Sequence, residues 1–425
     1  MAQQQLSAPR GTKDVLPGDV YKWQFVESTA SSVAGDFGFE EIRFPTFENT
    51  ELFLRGVGDT TDVVQKEMYT FEDKGGRSIT LRPEGTASVV RSFLENSLYA
   101  GGLPVKVFYI APNFRYEKPQ AGRLREHHQF GVECFGAEGP EADAEVIDLA
   151  HTYMNRLGVK NISLEINSLG CPDCRPAFQQ ALKDYFSGHK DQLCDTCRTR
   201  LDKNPLRILD CKSPVCQEIA RDAPVGLEYL CGKCSDHFEG LKSSLDAVGI
   251  SFTVNPKIVR GLDYYTRTVF EFISTGIGAQ GTVCGGGRYD SLVKNLGGSP
   301  MPALGFGSGI ERMLLVMEAE GAEIPARETC TLFFAGLGDR AASKSQELVS
   351  EMRHMGISAQ RDLCGRGLKA QMKYASKIGA KYTIVLGDNE IDTGHAEIKN
   401  MDNGEKFKCG LSAEEIFGLL VRLLK

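Results

Sequence analysis

The sequence predicts an α+β fold in two domains. The N-terminal domain is built on antiparallel strands with a helical, cysteine-rich insertion, and the C-terminal α/β domain has a mixed sheet. Three observations predict this fold. At 425 residues the chain is too long for one hydrophobic core. Strand-like stretches in the first 150 residues flank a hairpin-like loop. After about residue 326, strand and helix patterns alternate.

The N-terminal domain, residues 1–325, contains the predicted hairpin. Its first arm covers residues 105–110 and continues through 113–116. A charged loop containing Gly and Pro runs to about Glu126, and the second arm, residues 127–135, is rich in aromatic and β-branched side chains. This order of strand, loop and strand predicts an antiparallel pair.

The insertion is expected between about residues 168 and 250, where the chain is polar, cysteine-rich and helical in periodicity. Strands resume at 268–273, and the glycine-rich run 281–287 follows. A helix is predicted from about 308 to 318. Its apolar face is formed by four residues: Ile310, Met313, Leu314 and Met317.

The C-terminal domain, residues 326–425, is predicted from alternating patterns. Strands are expected at 331–336, 358–362 and 382–386, and helices at 341–355 and 366–378. Asn403-Gly404 predicts a hairpin turn between the runs 396–400 and 406–409. Ser412 is expected to cap a final helix, with Glu415 completing a capping box.

Composition excludes several classes of protein. Hydrophobic residues make up 41% and charged residues 25%, as in ordinary globular domains. No stretch approaches the length of a membrane span, so no membrane association is expected. The N-terminus lacks a basic-then-apolar signal pattern, so the expected location is the cytoplasm.

The net charge of −7 does not by itself favour a nucleic-acid partner. Its distribution is uneven, however. From Ala326 onward there are 15 Lys+Arg against 13 Asp+Glu, a balance of +2, whereas the preceding residues have 34 against 43, a balance of −9. A basic contact face on the C-terminal domain is therefore compatible with the overall charge.

Three arginines crowd the predicted hairpin and its loop, namely Arg115, Arg123 and Arg125. The planar guanidinium group suits phosphate because it donates two parallel hydrogen bonds. Gln129 and Glu133 lie an even number of residues apart on a strand, so both should point to the same face and could meet a small polar ligand. The alternative is a solvated hairpin held by salt bridges.

Three further segments attract attention. In residues 82–86 a proline fixes the turn before Glu84, Gly85 and Thr86. Taken singly, each of these residues is more simply interpreted as an ordinary loop residue. Residues 260–265 place Arg260 close to two tyrosines whose polar ends need partners if they are buried. Residues 305–312 are glycine-rich and open a predicted helix, whose free N–H groups suit anions. Neither P-loop nor dinucleotide-binding spacing is present, which predicts a different kind of nucleotide site.

Eight of the 13 cysteines are clustered, three pairs of them with CxxC spacing. This spacing suits tetrahedral zinc, and eight thiols could build one or two four-thiolate sites. The alternative is a set of reduced thiols that pack a helical insertion. The candidate zinc ligands are Cys171, Cys174, Cys194, Cys197, Cys211, Cys216, Cys231 and Cys234.

Together these segments resemble the bacterial-type histidyl-tRNA synthetases over nearly the whole chain. Residues 39–45 (FEEIRFP) are similar to motif 1 of the class II synthetases, residues 109–136 to motif 2, and residues 305–312 to motif 3. The stretches RGLDYYTRTVFEF from Arg260 and CGGGRYD from Cys284 are similar to two peptides peculiar to the histidine enzymes.

The resemblance implies a class II catalytic domain followed by an anticodon-binding domain. It also implies an enzyme that activates L-histidine with ATP and Mg²⁺ and transfers it to the 3′ end of histidine tRNA. Arg115 and Arg260 would be catalytic, and Arg115, Arg123 and Arg312 would bind ATP. The implied histidine-binding residues are Glu84, Gly85, Thr86, Gln129, Glu133, Tyr264 and Tyr265.

The tRNA contacts implied by the resemblance are Gln120 in the motif 2 loop and a lysine stripe that begins with Lys369 and Lys373. Lys377 and Lys381 continue the same four-residue spacing. A solvated amphipathic helix would show the same pattern. Motif 1 implies a homodimer.

Two rival hypotheses stay open from the sequence. One is a non-catalytic synthetase-like regulatory subunit of histidine biosynthesis, which would be expected to lose motif residues and the anticodon domain. The other is an RNA-binding or metal-scaffold protein, which would not need the ATP-facing arginines.

Overall fold

The protein is described by a computed structural model covering residues 6–58, 61–276, 281–326 and 329–424. It divides into two compact units, Met1–Ile324 and Pro325–Lys425. The prediction that the N-terminus carries no signal peptide began with residues 1–5, and these lie outside the described residues. Among the helices that are described, none combines the length and the apolar character needed to cross a membrane.

The N-terminal unit contains eleven strands within its described residues. They are β1 (Glu40–Glu41), β2 (Phe47–Asn49), β3 (Tyr69–Glu72), β4 (Ser78–Leu81), β5 (Val105–Phe114), β6 (Glu126–Phe135), β7 (Ile162–Ser168), β8 (Thr253–Val254), β9 (Thr266–Ser274), β10 (Thr282–Arg288) and β11 (Ala303–Gly309).

The described α-helices of this unit are α1 (Val20–Asp36), α2 (Thr50–Val57), α3 (Thr86–Glu95), α4 (Pro140–Arg156), α5 (Arg175–Ser187), α6 (Asp195–Lys203), α7 (Pro214–Ile219), α8 (Gly232–Ala247), α9 (Leu292–Asn295) and α10 (Ile310–Glu320). Short helical turns cover Val63–Glu67, Leu98–Gly101, Lys190–Gln192, Pro205–Ile208, Ala220–Asp222 and Gly226–Tyr229.

An eight-stranded sheet organises the unit, in the order β1-β5-β6-β11-β10-β9-β7-β8. Its six central strands pair antiparallel, and only the short edge strands β1 and β8 pair parallel to their neighbours. The predicted hairpin is confirmed, because β5 and β6 pair over ten residues, from Val105 opposite Phe135 to Phe114 opposite Glu126. A separate three-stranded sheet has the order β2-β4-β3.

The two faces of the large sheet differ. On one face, Phe130 and Val132 of β6 pack with helices α1, α4, α8 and α10 in the main hydrophobic cluster. Because side chains alternate along a strand, Gln129 and Glu133 lie on the opposite face, as predicted. That face carries a second cluster with buried aromatic residues, including Tyr109, Tyr264 and Tyr289.

The glycine-rich stretch 305–309 corrects one expectation. It was predicted to open a helix, but it forms strand β11, which pairs with both β6 and β10, and α10 begins only at Ile310. The glycines are therefore in the middle of the sheet, and their amide groups are engaged in strand pairing. The helix itself is confirmed, with Ile310, Met313 and Met317 buried and Leu314 half-buried.

The insertion is helical and has a small core of its own. Phe178, Leu182 and Phe186, which follow one another at four-residue steps along α5, are buried together with Cys197 and Cys216. In contrast, Phe238, Leu241 and Leu245 of α8 pack in the main cluster. The last helix of the insertion thus belongs to the main core of the N-terminal unit.

The C-terminal unit contains a five-stranded mixed sheet in the order β13-β12-β14-β15-β16. β12 pairs parallel with β13 and β14, whereas β14, β15 and β16 pair antiparallel, as predicted for a mixed sheet. Its elements are β12 (Cys330–Gly336), α11 (Gly338–His354), β13 (Ala359–Arg361), α12 (Leu368–Lys377), β14 (Ala380–Leu386), α13 (Asp388–Thr393), β15 (His395–Asn400), β16 (Lys406–Gly410) and α14 (Ala413–Leu423).

The capping box predicted for the final helix forms only in part. The Ser412 hydroxyl accepts the Glu415 N–H at 3.3 Å, so Ser412 caps α14. The Glu415 carboxylate, however, accepts the Gly410 N–H at 3.1 Å instead of returning to Ser412. Helix α13 was not predicted, because a six-residue helix is too short to show a periodic apolar face.

Candidate active site

A cavity of about 640 Å³ lies in the N-terminal unit. Its wall combines the β5–β6 loop, strands β10 and β11, residues 260–265 and part of the insertion. Most of the predicted site residues meet here, although they are far apart in the sequence. Those lining the cavity are Glu84, Thr86, Arg115, Arg123, Gln129, Arg260, Tyr264, Tyr265 and Arg312.

Four of the arginines that line the cavity were predicted as site residues, and two of these, Arg115 and Arg312, are held by backbone carbonyls. The Arg115 Nε donates to the Pro83 carbonyl at 2.7 Å. Arg312 donates from Nε to Gly122 O at 3.0 Å and from Nη1 to Thr282 O at 2.7 Å. These backbone contacts fix the position of both guanidinium groups in the cavity wall.

Arg123 and Arg260 have carboxylate partners. Arg123 forms an ion pair with Glu117, and Arg260 forms one with Glu271 on β9. Burial lowers the pKa of Arg312, and the neighbouring charges of Arg123 and Arg115 lower it further. Arg115, Arg123 and Arg312 therefore lie close enough to repel one another, and such a group of guanidiniums suits a polyphosphate.

His127 lies among these arginines. Burial, followed by the Arg115 and Arg312 charges, lowers the pKa of His127 to about 3. Its imidazole is therefore neutral at pH 7 and adds no further positive charge to the cavity.

Glu133 is almost fully buried, at 1% exposure, and lies behind the cavity wall. The Thr86 hydroxyl donates to Glu133 Oε1 at 2.7 Å, and the Tyr289 hydroxyl donates to Oε2. Burial raises the pKa of Glu133 to about 8, although both hydroxyls act in the opposite direction. The group is thus poised to gain or lose a proton near neutral pH.

Glu84 helps to begin helix α3. Its two carboxylate oxygens accept the N–H groups of Thr86 at 2.9 Å and Ala87 at 2.8 Å. Burial raises the pKa of Glu84, which these hydrogen bonds and the Arg115 charge partly offset. Gly85, predicted to bind histidine, is not part of the cavity lining; a Cβ there would clash with the Tyr109 ring.

The aromatic part of the site is compact. The rings of Tyr264 and Tyr265 lie 4.7 Å apart, and the Tyr264 ring meets that of Tyr289 edge-on at 5.6 Å. Burial raises the pKa of all three phenols, so they are neutral donors and acceptors at pH 7. Gln129, on the neighbouring strand, is oriented by Asn113, whose Nδ2 donates to its Oε1 at 3.0 Å.

The glycines of β10 and β11 leave space for polar side chains. A Cβ at Gly285 would lie 2.5 Å from Arg260 Nη1. A Cβ at Gly305 would clash with the Glu133 carboxylate, and one at Gly307 with the Gln129 amide. The two glycine-rich runs therefore serve as strands whose missing side chains make room for the residues of the site.

The sequence did not single out several residues that the structure places here. Tyr289 binds Glu133, Glu271 binds Arg260, and His127 and Tyr109 line the same cavity. Tyr289 and Tyr109 fall within segments similar to the synthetase motifs, which is the only signal that could have identified them. Glu271 also falls within such a segment, residues 260–272, but strand periodicity alone does not distinguish it from the other polar residues of β9.

The predicted tRNA residues lie outside the cavity. Gln120 is exposed at the tip of the β5–β6 loop, where its backbone N–H and carbonyl pair with Arg123 at 3.0 Å. In the C-terminal unit, Lys369, Lys373 and Lys377 are exposed on α12. Lys381 is half-buried in β14, just beyond the helix.

Comparisons with known proteins agree with this geometry. The family model described as histidyl-tRNA synthetase matches residues 11–178 and 218–313, and the model described as anticodon binding domain matches 331–423. The histidine–tRNA ligase of Acetivibrio thermocellus is 56% identical over 404 residues, 95% of this chain and 97% of that protein. The chain belongs to the histidyl-tRNA synthetase family.

Other members support the same assignment. The histidine–tRNA ligase of Clostridium perfringens is 54% identical over 416 residues, 98% of this chain and 99% of that protein. The crystal structure of apo histidyl-tRNA synthetase from S. aureus has a TM-score of 0.83 at 38% identity and covers 99% of this chain and 100% of that one. These matches do not favour the regulatory-subunit hypothesis. The chain is an aminoacyl-tRNA synthetase with a class II fold.

The eight clustered cysteines form two groups in this synthetase. Cys171 and Cys174 meet Cys231 and Cys234, and the other four cysteines, Cys194, Cys197, Cys211 and Cys216, form the second group. Within each group the Sγ atoms lie within 4.8 Å of one another. Tetrahedral zinc places four sulfurs roughly 3.8 Å apart at a Zn–S distance of about 2.3 Å, so both groups fit this metal.

Proposed function

We propose that the cavity binds L-histidine and ATP, forms histidyl-adenylate and then transfers histidine to the 3′ end of its tRNA. The observation that carries this proposal is the convergence of four predicted arginines from three separate segments on one cavity, beside a buried carboxyl group with hydroxyl partners. The arginines suit ATP phosphates, and the buried group suits an imidazole.

In the first step, the histidine carboxylate attacks the α-phosphate in line and pyrophosphate leaves. Arg115 and Arg260 approach the cavity from different segments, so they can contact the α-phosphate and the attacking carboxylate from two sides. Arg123 and Arg312 would hold the β- and γ-phosphates. No covalent enzyme intermediate is required, so catalysis is positioning together with stabilisation of developing charge.

Magnesium is expected to bind together with ATP. The carboxylates of Glu117 and Glu311 line the cavity close to Arg123 and Arg312, so one or both can contribute a ligand. Because Mg²⁺ usually takes few protein ligands, phosphate oxygens and water would supply the rest. The ion would offset phosphate charge that the arginines leave unbalanced.

The histidine side chain would be read by Glu133 and Tyr265. A neutral imidazole has one donor and one acceptor nitrogen, and a carboxylate and a phenol can bind one each. Tyr264 would line the pocket. Tyr289 and Thr86 would fix the Glu133 carboxylate by their hydrogen bonds to its two oxygens.

The α-ammonium group would be received by Glu84, Thr86 and Gln129. The Thr86 hydroxyl donates a hydrogen bond to Glu133. The lone pairs of the same hydroxyl oxygen can therefore accept a hydrogen bond from the ammonium group. Glu84 retains lone pairs after accepting two backbone N–H groups. Gly85 contributes space for Tyr109 rather than a contact with the substrate.

In the second step, the terminal ribose hydroxyl of the tRNA attacks the adenylate. Gln120, on the exposed loop that leads to Arg123, would approach the acceptor end. The C-terminal domain would bind the anticodon, with the α12 lysines contacting phosphates. We also expect a homodimer through residues 39–45 and a location in the cytoplasm, where this tRNA is used.

Histidine-dependent exchange of pyrophosphate into ATP tests the proposal directly. The wild-type protein should support exchange with histidine and with no other amino acid. Arg260→His should abolish exchange while partly retaining histidine binding, because only the α-phosphate contact is lost. Arg156→His is the matched control, since Arg156 lies on α4 and pairs with Asp36 away from the cavity. Exchange by Arg260→His at the control rate would refute the role of Arg260.

A further inference from the structure

We propose that the two cysteine groups are separate structural zinc sites that hold the segment 260–265 in place beside the cavity. Site 1 is defined as Cys171, Cys174, Cys231 and Cys234, and site 2 as Cys194, Cys197, Cys211 and Cys216. The metal sites rest on the cysteine geometry alone. Their effect on histidine binding rests also on the proposed function.

The sulfur positions support tetrahedral metal binding. In site 1 the Sγ of Cys171 lies 3.4 Å from that of Cys174 and 4.0 Å from that of Cys231. In site 2 the Sγ atoms of Cys194 and Cys211 lie 3.8 Å apart. These separations match the edges of a zinc tetrahedron, roughly 3.8 Å, and exceed the disulfide bond length of about 2.05 Å.

Backbone amides support the sulfurs of both sites. The Cys231 N–H donates to Cys174 Sγ at 3.4 Å in site 1. In site 2 the Cys194 N–H donates to Cys216 Sγ at 3.3 Å, and the Ser213 N–H donates to Cys211 Sγ at 3.4 Å. Donors directed at sulfur stabilise thiolate ligands, and this kind of outer contact orients a metal site. If the cysteines were neutral thiols that only pack together, these backbone donors would not be required.

Both sites are closed. Each already provides four sulfur ligands, which fills a tetrahedral zinc and leaves no position for water or substrate. Cys194 and Cys211 nevertheless line the substrate cavity, so site 2 forms part of its wall. The metal would therefore support the cavity without taking part in the chemistry.

Site 1 is connected to the end of the catalytic segment. Arg175, directly after Cys174, donates to the Tyr265 carbonyl. The neighbouring backbone adds two hydrogen bonds, from Leu169 N to Arg267 O at 2.7 Å and from Arg267 N to Gly170 O at 2.9 Å. Metal binding at site 1 thus fixes the chain on which Tyr265 is positioned.

Site 2 is connected to the start of the same segment. Arg207, between Cys197 and Cys211, donates to the Gly261 carbonyl at 2.6 Å. Asn204 donates to Asp263 Oδ1 at 3.2 Å. The two sites therefore hold residues 260–265 from opposite ends. An insertion of short helices with a small core depends on such cross-links for a fixed geometry.

Metal content is the first test. Protein purified without chelators should contain about two zinc ions per chain, and Co²⁺ exchange should give the intense visible absorption of tetrahedral thiolate sites. Cys234→Ala and Cys197→Ala should each lose one equivalent. Cys134→Ala, a buried cysteine outside both groups, should keep two. A wild-type content of one or none, or disulfides found by mass spectrometry, would overturn the two-site proposal.

Hydrogen–deuterium exchange tests the connection to the catalytic segment. Removing metal from the wild-type chain should speed amide exchange in residues 260–267, and readdition of Zn²⁺ should reverse the change. Unaltered exchange there, with two zinc ions lost, would refute the connection. This readout does not use catalysis, so it stays decisive even if histidine is not the substrate. A higher KM for histidine in Cys197→Ala, with an unchanged KM in Cys134→Ala, would link the two proposals.

Discussion

At the scale of single residues, Glu133 shows how burial defines a binding group. Its two carboxylate oxygens are already engaged by hydroxyls, and its charged form is disfavoured by the surrounding apolar cluster. A polar ligand that completes this arrangement gains affinity. An analogue lacking the ring nitrogens would leave buried groups unpaired, which discriminates by roughly 10⁴-fold or more.

Replacement of Glu133 should separate the two substrates. We expect Glu133→Ala to raise the KM for histidine by roughly 10- to 100-fold, because a buried imidazole nitrogen would be left without its hydrogen bond at a cost of about 1–3 kcal/mol. The KM for ATP should change little, because the arginines are unaffected. Pyrophosphate exchange measures both constants. Glu165→Gln is a suitable control, since this carboxylate lies on β7 and pairs with Asn255. An unchanged histidine KM would contradict the role of Glu133.

The raised pKa of Glu133 also predicts a pH dependence of stability. Between the ordinary value of 4.5 and about 8, the folded protein keeps a proton that the unfolded chain has lost. Stability from this group is therefore full at low pH and falls as pH rises through that window, by at most about 1.4 kcal/mol per pH unit. Relative to Glu133→Gln, the wild-type melting temperature should decline from about pH 5 to pH 8 and then level off. Parallel melting curves across this range would contradict the assignment.

At the scale of secondary-structure elements, β10 and β11 explain the glycine-rich runs. Both strands lie at the centre of the sheet, yet they carry few side chains on the cavity face. The space that side chains at these glycines would fill is occupied by polar groups from β6 and from residue 260. Glycine weakens an isolated strand, but pairing on both sides compensates within this sheet.

Gly285→Ala tests this role of β10. The new Cβ would press against the Arg260 guanidinium, which is the end of a flexible side chain and can move away. We therefore expect a folded protein whose exchange rate falls by roughly 100-fold, as is typical for a catalytic group displaced by about 1 Å. Gly35→Ala on α1 meets no atom within 4 Å and should behave like wild type. Full activity of Gly285→Ala would show that the position of Arg260 is not critical.

At the scale of the whole molecule, two units with separate cores would carry out the two proposed functions, histidine activation and tRNA recognition. Every described residue that lines the substrate cavity belongs to the N-terminal unit. The C-terminal unit is built around its own mixed sheet and presents exposed lysines on α12. Activation of histidine and recognition of tRNA should therefore respond to different mutations.

Neutralising the α12 lysines should affect tRNA alone. We expect Lys369→Gln, Lys373→Gln and Lys377→Gln together to weaken tRNA binding and to reduce the slope of log K against log salt by up to about 2–3, because fewer counterions are released. Histidine-dependent exchange should be unchanged. The matched control replaces Lys399, Lys406 and Lys408 of the β15–β16 hairpin, an equal change in charge. An equal loss in the control would mean that α12 makes no specific contact.

The sequence predicted the hairpin, the mixed C-terminal sheet, the helical insertion and helices α10, α11, α12 and α14, because these depend on local periodicity and turn residues. It misassigned residues 305–309, since a glycine run next to an apolar helix resembles a helix start. This segment is a strand because it pairs with β6 and β10. Local residue spacing cannot reveal such pairing between distant parts of the chain. The capping geometry of Glu415 was likewise decided by the nearby Gly410 N–H.

The amino-acid sequence alone determined the family, the kinds of side chain available and the segments that carry them, because chemical type and short-range spacing are written along the chain. Only the tertiary structure decided which groups meet. Tyr289 reaches Glu133 across 156 residues, and the three CxxC pairs are distributed between two separate groups. These pairings follow from sheet order and helix packing, where residues distant in the sequence become neighbours through burial of a shared apolar core.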